Sequence, residues 1–443
     1  MSQVFALRGS FAHTPTFQRF EFLQEGYLVC ERGRVAGLYT KLPAQYAGCT
    51  VHDHTGRIIL PGMCDLHLHA PQYSFFGIGK NLENAEWNDW FERYAFVDES
   101  RYADESFARV AYRRLAGDLL KTVTTRLCVY GTIHLRATEI LMEELANAGF
   151  AAFVGKVNMD RNAMDGLLET TANSIEQTKA WIKESIGKYP HVSPILTPRY
   201  LPSCSEECMA ALGEIAQRQR LPVQTHLSEG VDEIAWVREL APGLSCYAEG
   251  YDRHGLLGGE APAVLAHCVF PNEAEFDLLQ KRNIMVAHCP QSNLSGSGMP
   301  APILQYLEAG IQVGLGTDMA GSYTLHMNRI LLDAITASRI WWAFNEQKGD
   351  PKAKPRFLSL ANAFYLATKG GGALWGKAGS FEPGYAFDAV VLDDSRHQNS
   401  VPRSLYERTE RLISLADDRD IAAKYIAGRP VYNKDHNQSI IDR

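Results

Sequence analysis

The feature that most limits what this chain can fold into is a recurrence. Eight short apolar runs follow one another, each separated from the next by a segment long enough for a helix. They are IILPGMCDLHLH (58–69), TRLCVYG (125–131), AAFVGKV (151–157), SPILTPR (193–199), PVQTHL (222–227), AVLAHCV (263–269), IMVAHCP (284–290) and QVGLGTD (312–318). Runs so uniformly apolar and rich in Val, Ile and Leu suit parallel strands buried on both faces, not the alternating strands of an antiparallel sheet. The intervening segments carry helix signals: ATEILMEELANAG places Ile140, Leu141, Glu144 and Leu145 on a helical period and stops at Gly149, and PILQYLEAG stops at Gly310. Eight such βα units close most simply into an α/β fold of the (β/α)8 TIM-like barrel type, with a doubly wound open sheet as the competing arrangement.

Residues 1–57 lack this alternation. They read as short strands, such as YLVCERGRVAGLY with an RGR turn between two apolar pieces, and the end of the chain reads the same way in YAFDAVVLDD and YIAGRPVYN. Both termini are therefore expected to build one small β-sandwich domain from residues 1–60 and 380–443, beside a barrel over residues 61–379. GKAGSFEPG (376–384) marks the second junction. The 443-residue length fits that pairing, since such barrels take about 250 residues or more.

Composition excludes several function classes. A net charge of −7 argues against a surface for nucleic acid, which is held by clustered Lys and Arg. MSQVFALRGSFAHTPT lacks the basic start and apolar stretch of a secretory signal, and no later run is long and apolar enough for a membrane span, so a cytoplasmic protein without a membrane partner is expected. The nine cysteines are scattered, several within apolar runs, which suits buried thiols and not a disulfide framework. Cys204 and Cys208 in CSEEC have no second cysteine pair with which to hold zinc.

The polar residues able to bind a metal stand at the carboxyl ends of the apolar runs, where a barrel of this type places its active site. His67 and His69 end the first run, His226 the fifth, His267 the sixth and Asp318 the eighth. Residues two apart on a strand point the same way, so His67 and His69 can face one ion together. An HxH pair alone is a weak pattern, and a lone histidine in an apolar run is usually a core residue. Convergence of four strand ends is what carries the argument. His288 also ends a run, but the CPQSN after it reads as a pocket-shaping loop, which gives His288 a structural or supporting role. His134 is read as loop surface or pocket wall.

Imidazoles with a carboxylate and an open position form a catalytic site, in which a divalent ion makes hydroxide available near neutral pH. Glu229, three residues after His226 in HLSE, is placed to accept the water's proton and pass it to a ring nitrogen. Neither HExxH nor HxE with PCxxC is present, and the fourth run ends TPR at Arg199 with no lysine to bridge two metals, so one ion is expected.

These blocks resemble the amidohydrolase superfamily and, within it, the guanine deaminase family. PGMCDLHLHAPQYSF (61–75), LTPRYLPSCSEE (196–207), VQTHLSE (223–229), LAHCVF (265–270), AHCPQSN (287–293) and GLGTD (314–318) match in order along nearly the whole chain. The HxH and GTD elements are common to the superfamily, whereas HAPQYSF and the PRY–PSCS block are specific to the narrower family. The resemblance implies that His67, His69, His226 and Asp318 hold one Zn2+, with Fe2+ the alternative that the same donors suit. It implies that His267 contacts the attacking water or the attacked centre, that Asp318 shares in proton transfer, and that Gln72 and Arg199 hydrogen-bond the purine while Tyr200 lies against its ring. His69, His226, Glu229 and His267 would also border the substrate. An always-charged Arg199 favours a 6-oxo purine, since adenine would leave it unpaired.

A homodimer is implied by the resemblance alone. Tyr200 stands where the family often has Phe, and the loop SNLSGSGMP is shorter than the family's. Trp87 and Trp90 fall in a stretch resembling the family's pocket cover, but aromatics three apart are commonly packing residues and stay outside the site. Two other readings compete: deamination of a pterin, an 8-oxoguanine or a triazine, and a non-catalytic barrel scaffold. The second would have shed its ligands, and this chain keeps the whole set with Glu229.

Overall fold

The computed structural model describes residues 4–79, 90–350, 352 and 354–434. Its fold is mixed α/β, and all eight apolar runs contain strands. We label these β1 (Met63–His69), β2 (Thr124–Tyr130), β3 (Ala151–Gly155), β4 (Val192–Pro194), β5 (Val223–Leu227), β6 (Ala263–His267), β7 (Ile284–His288) and β8 (Gln312–Leu315). Two parallel sheets result, in the orders β1-β2-β3-β4 and β5-β6-β7-β8. Apart from Phe153 in β3, Ser193 in β4 and Gln312 at the start of β8, their residues are buried, as continuous apolar runs demand.

Backbone hydrogen bonds join the two sheets at both edges. Leu196 N–H donates to Pro222 O at 3.0 Å and accepts at its own carbonyl from Gln224 N at 2.8 Å. On the other side, Asp318 N donates to His67 O at 2.7 Å and His69 N to Met319 O at 2.9 Å. The second seam depends on Gly316, because a Cβ there would lie 2.8 Å from the Cβ of His67. Asp65 reinforces it, accepting from the Thr317 amide at 2.9 Å, the Thr317 hydroxyl at 2.6 Å and the His67 amide at 3.2 Å. The fourth run is broken: after β4 only the short piece Thr197–Pro198 pairs, and it pairs with Val157–Asn158. Pro194 and Pro198 supply no amide hydrogen, which limits how long a ladder this run can carry.

The terminal segments pair in a single sheet of seven strands, ordered Arg429–Asn433, Ile421–Ile426, Ala389–Leu392, Thr50–Pro61, Val4–Thr16, Arg19–Glu31 and Arg34–Tyr39. The expected RGR turn is present, with Arg32 at φ 52° and Gly33 at φ 75°, the paired positive values of a tight hairpin turn. Phe5, Leu7, Phe11, Ile59, Phe387 and Val391 form part of this sheet's own buried cluster.

Two buried basic side chains fasten the sheet to the amino-terminal end of the parallel strands. Arg126 Nε of β2 donates to Asp388 Oδ2 at 2.6 Å, and Lys424 Nζ donates to the carbonyls of Leu119 and Thr124 at 2.8 Å each. Arg126→Ala strands the Asp388 carboxylate out of water, and removing one partner of a buried pair costs about 3–5 kcal/mol. A matching drop in the urea midpoint is expected, and Arg126→Ala with Asp388→Leu should recover much of it.

Candidate active site

At the carboxyl ends of the parallel strands the backbone turns sharply, and several turning residues carry the polar groups. His267 (φ 72°), Cys268 (φ 48°), Ser228 (φ 49°) and Asp318 (φ 49°) all adopt left-handed conformations. Such strain in non-glycine residues persists only where the surroundings enforce it, and it clusters at functional sites. Here it follows the last residue of β5 and ends or follows β6 and β8, where the side chains must leave the strand direction and converge.

They do converge. The ligand atoms of His67, His69 and Asp318 lie within 4.8 Å of one another, as do those of His67, His226 and His267, and those of Glu229, His267 and Asp318. His67 and His69 are 1% and 3% exposed, His226 8% and Asp318 5%, so these groups are held largely out of water. His226 Nδ1 is 2.6 Å from the carbonyl oxygen of Arg199, which can only accept, so Nδ1 carries the proton and Nε2 presents a lone pair. That Nε2 lies 3.1 Å from His69 Nε2, while Asp318 Oδ1 lies 3.3 Å from His67 Nε2 and 3.6 Å from His69 Nε2. Ligand atoms bound tetrahedrally at about 2.0–2.1 Å stand about 3.3 Å apart, so this spacing matches the edges of one coordination shell.

Burial also keeps the imidazoles in the neutral form that binds a metal. It is the largest of the effects holding His69 and His226 well below the usual histidine range. Burial opposes the charge on Asp318, but its close approach to the His67 ring and the other adjoining imidazoles hold the carboxyl well below the ordinary range. His67 Nε2 is buried with no hydrogen-bond partner, a vacant acceptor that a cation would satisfy. The donor set of three imidazoles and a carboxylate therefore fits a single divalent ion.

A cavity of about 860 Å3 opens beside these groups, within the ~300–1,000 Å3 typical of small-molecule sites. His69, Gln72, Arg199, Tyr200, His226, Glu229, His267 and Asp318 all line it. Glu229 is partly open, its side chain 18% exposed, with Oε2 3.6 Å from His267 Nε2. Its backbone N–H donates to Glu233 Oε2 at 2.9 Å. His267 Nδ1 is 2.8 Å from Asn293 Oδ1, which orients the ring. Burial opposes a charge on His267, but Glu229 and Asp318 outweigh it and raise the imidazole above its ordinary value. Burial pushes the Tyr200 phenol up to about 12.

Residues set aside in the sequence fall as follows. His288 is 1% exposed, burial pushes it down to about 3, and it stands outside the close clusters found among the described residues. His134 sits at the start of the helix Leu135–Asn147, also outside them. Cys204 and Cys208 are buried free thiols. Trp87 lies outside the described residues. Trp90 is buried against Phe75, with ring centroids 5.4 Å apart, and it lines the cavity. The segment SNLSGSGMP begins within the helix Pro290–Gly296, and Gly296 and Ser297 reach the cavity wall.

Three neighbours were missed in the sequence. Tyr130 ends β2 and is wholly buried, its ring 4.6 Å from that of His69 and 4.9 Å from that of His67. The strand-end rule that picked out the histidines could have found it. Asn293 lies in a motif already noted but without a stated task. Glu99 is 2% exposed and accepts from Gln72 Nε2 at 2.9 Å and from both terminal nitrogens of Arg199 at 3.0 and 3.3 Å. Its partners lie 27 and 100 residues away, and no local pattern announces them.

The chain is also similar to known proteins. Residues 58–431 match the model of the amidohydrolase family. A guanine deaminase of Dictyostelium discoideum is 36% identical over 390 residues, spanning 86% of this chain and 84% of that protein. One from Escherichia coli is 34% identical over 457 residues, spanning 97% of this chain and 98% of the other. Among solved structures, the guanine deaminase of C. acetobutylicum with guanine bound in its active site superposes with a TM-score of 0.92 at 40% identity, covering 97% of this chain and 100% of that one.

Proposed function

We propose, because this chain belongs to the amidohydrolase family, that it hydrolyses guanine to xanthine and ammonia at the cavity above the parallel strands. The observation that carries this is the convergence of His67, His69, His226 and Asp318 beside Glu229 in a cavity that also presents Gln72 and Arg199. The guanine deaminases it resembles over most of their length support the same substrate. In this reading the two parallel sheets, bonded at both edges, form an eight-stranded barrel over residues 61–379, and residues 1–60 and 380–443 form its companion β domain.

His67, His69, His226 and Asp318 would hold one zinc ion, with iron suited to the same donors. When bound, that ion supplies Lewis acidity, which makes water a nucleophile near neutral pH. The protein's own groups do the rest. Arg199 and Gln72 hold the purine by its polar edge, and Tyr200 lies along the ring. Glu229 takes a proton from the attacking water and delivers it to the ring nitrogen next to C2, where the new C–O bond forms. His267, oriented by Asn293, stands against the attacked carbon, and Asp318 passes the remaining hydroxyl proton to the amino group, so that the C–N bond breaks, ammonia leaves and the C2 carbonyl forms.

An ammonia-release assay over guanine, adenine, 8-oxoguanine, a pterin and an amino-triazine tests the substrate. Guanine should be turned over fastest. Adenine should fall lower in kcat/KM by about 10^4-fold, because sites built to pair a polar group reject analogues lacking it by that order. Faster turnover of a pterin or triazine than of guanine would move the assignment to that compound.

A further inference from the structure

The two groups assigned to the purine edge share one carboxylate, Glu99, which nothing in the reaction so far employs. Its side chain is 3% exposed, and it sits on the short helix Phe96–Ser100. Gln72 is fixed from both ends: its Nε2 donates to Glu99 at 2.9 Å, while its Oε1 accepts from the Ala320 amide at 3.1 Å. That arrangement leaves the amide a single orientation, with one N–H and one lone pair to spare. Arg199 spends one hydrogen from each terminal nitrogen on Glu99, and its guanidinium carbon stands 5.5 Å from the ring centre of Phe96 on the same helix. The helix thus delivers both the ring under the guanidinium and the carboxylate at its end.

We propose that Glu99 is a positioning residue that keeps the purine-binding subsite electrically neutral, so that it holds neutral guanine and disfavours an anionic oxopurine. The inference rests on the assignment of Arg199 and Gln72 to the purine. Arg199 is 4% exposed, and in so dry a setting an unpaired guanidinium would draw anions strongly. The product, xanthine, is a stronger acid than guanine and loses a proton at mildly alkaline pH. A bare Arg199 would grip that anion and slow its departure. Paired with Glu99, Arg199 keeps its remaining N–H groups for hydrogen bonding and presents no net charge.

The test compares inhibition by xanthine and by hypoxanthine at a mildly alkaline pH, where xanthine is largely anionic and hypoxanthine is neutral. In Glu99→Gln, which keeps size and removes charge, KM for guanine should rise about tenfold, with kcat falling less. The ratio of the xanthine to the hypoxanthine inhibition constant should shift about tenfold in favour of xanthine, a change on the scale of one charge-assisted contact. Glu99→Asp, which restores the charge, should return the ratio to the parental value. A merely structural Glu99 would lower thermal stability in both variants and leave that ratio alone, which would overturn the proposal.

The parental enzyme provides a further check if Glu99→Gln does not fold. Its affinity for xanthine should weaken as xanthine ionises, and strengthening instead would also overturn the proposal. A parental protein that neither deaminates guanine nor binds either oxopurine would sink the functional assignment itself, which separates the two failures.

Discussion

Glu229→Gln should lower kcat for guanine by about 10^3-fold while the purified variant keeps its full metal content. The substitution preserves volume and leaves a hydrogen-bonding amide beside His267, whose Nε2 lies 3.6 Å from the carboxylate. What it removes is the capacity to take up and release a proton. KM should change little, because recognition of the purine is assigned to Arg199 and Gln72. Steady-state kinetics together with metal analysis of the same sample checks this. A kcat within tenfold of the parental value would remove Glu229 from the proton path and leave His267 and Asp318 as the remaining carriers.

Chelation should have an effect at least as large. Stripping the metal should abolish guanine turnover, and adding back zinc or ferrous ion should restore it. Without Lewis acidity the attacking water stays far too weak an acid to ionise near neutral pH, whereas water bound in zinc hydrolases ionises at about 7. A thermal consequence should accompany the kinetic one. An ion that binds only the folded chain raises the unfolding midpoint in proportion to the logarithm of its excess over Kd, so the stripped protein should melt earlier. Undiminished turnover in protein shown to hold far less than one ion per chain would refute the metal-dependent route.

The histidine cluster was legible because strand geometry is local. His67 and His69 share a face through the two-residue period, and His226, His267 and Asp318 each end or follow an apolar run that had to be a strand. The hairpin at Arg32 and Gly33 was legible for a similar reason, since a glycine in a polar RGR between two apolar pieces supplies the positive φ that such a tight turn takes. Glu99 was not, because a buried acid reads like any other acid until its partners are known, and those partners come from β1's end and the fourth run. The fourth run also misled in detail. Its apolar character was right, but two prolines within seven residues confine the ladder to short pieces. The seven-stranded terminal sheet could be anticipated as β structure from both ends of the chain, yet its strand order depends on long-range pairing that composition does not encode.

That pairing has a consequence for how the molecule comes into being. Thr50–Pro61 lies between Val4–Thr16, made earlier at the amino terminus, and Ala389–Leu392, made more than three hundred residues later. Throughout synthesis of the intervening helices and strands, the amino-terminal hairpins present one open row of amides and carbonyls to whatever else is nearby. Until its last strands emerge, the nascent chain carries an edge on which another chain can pair. Loss of those closing strands would be felt first as clumping of the newborn protein, well before any defect at the catalytic groups.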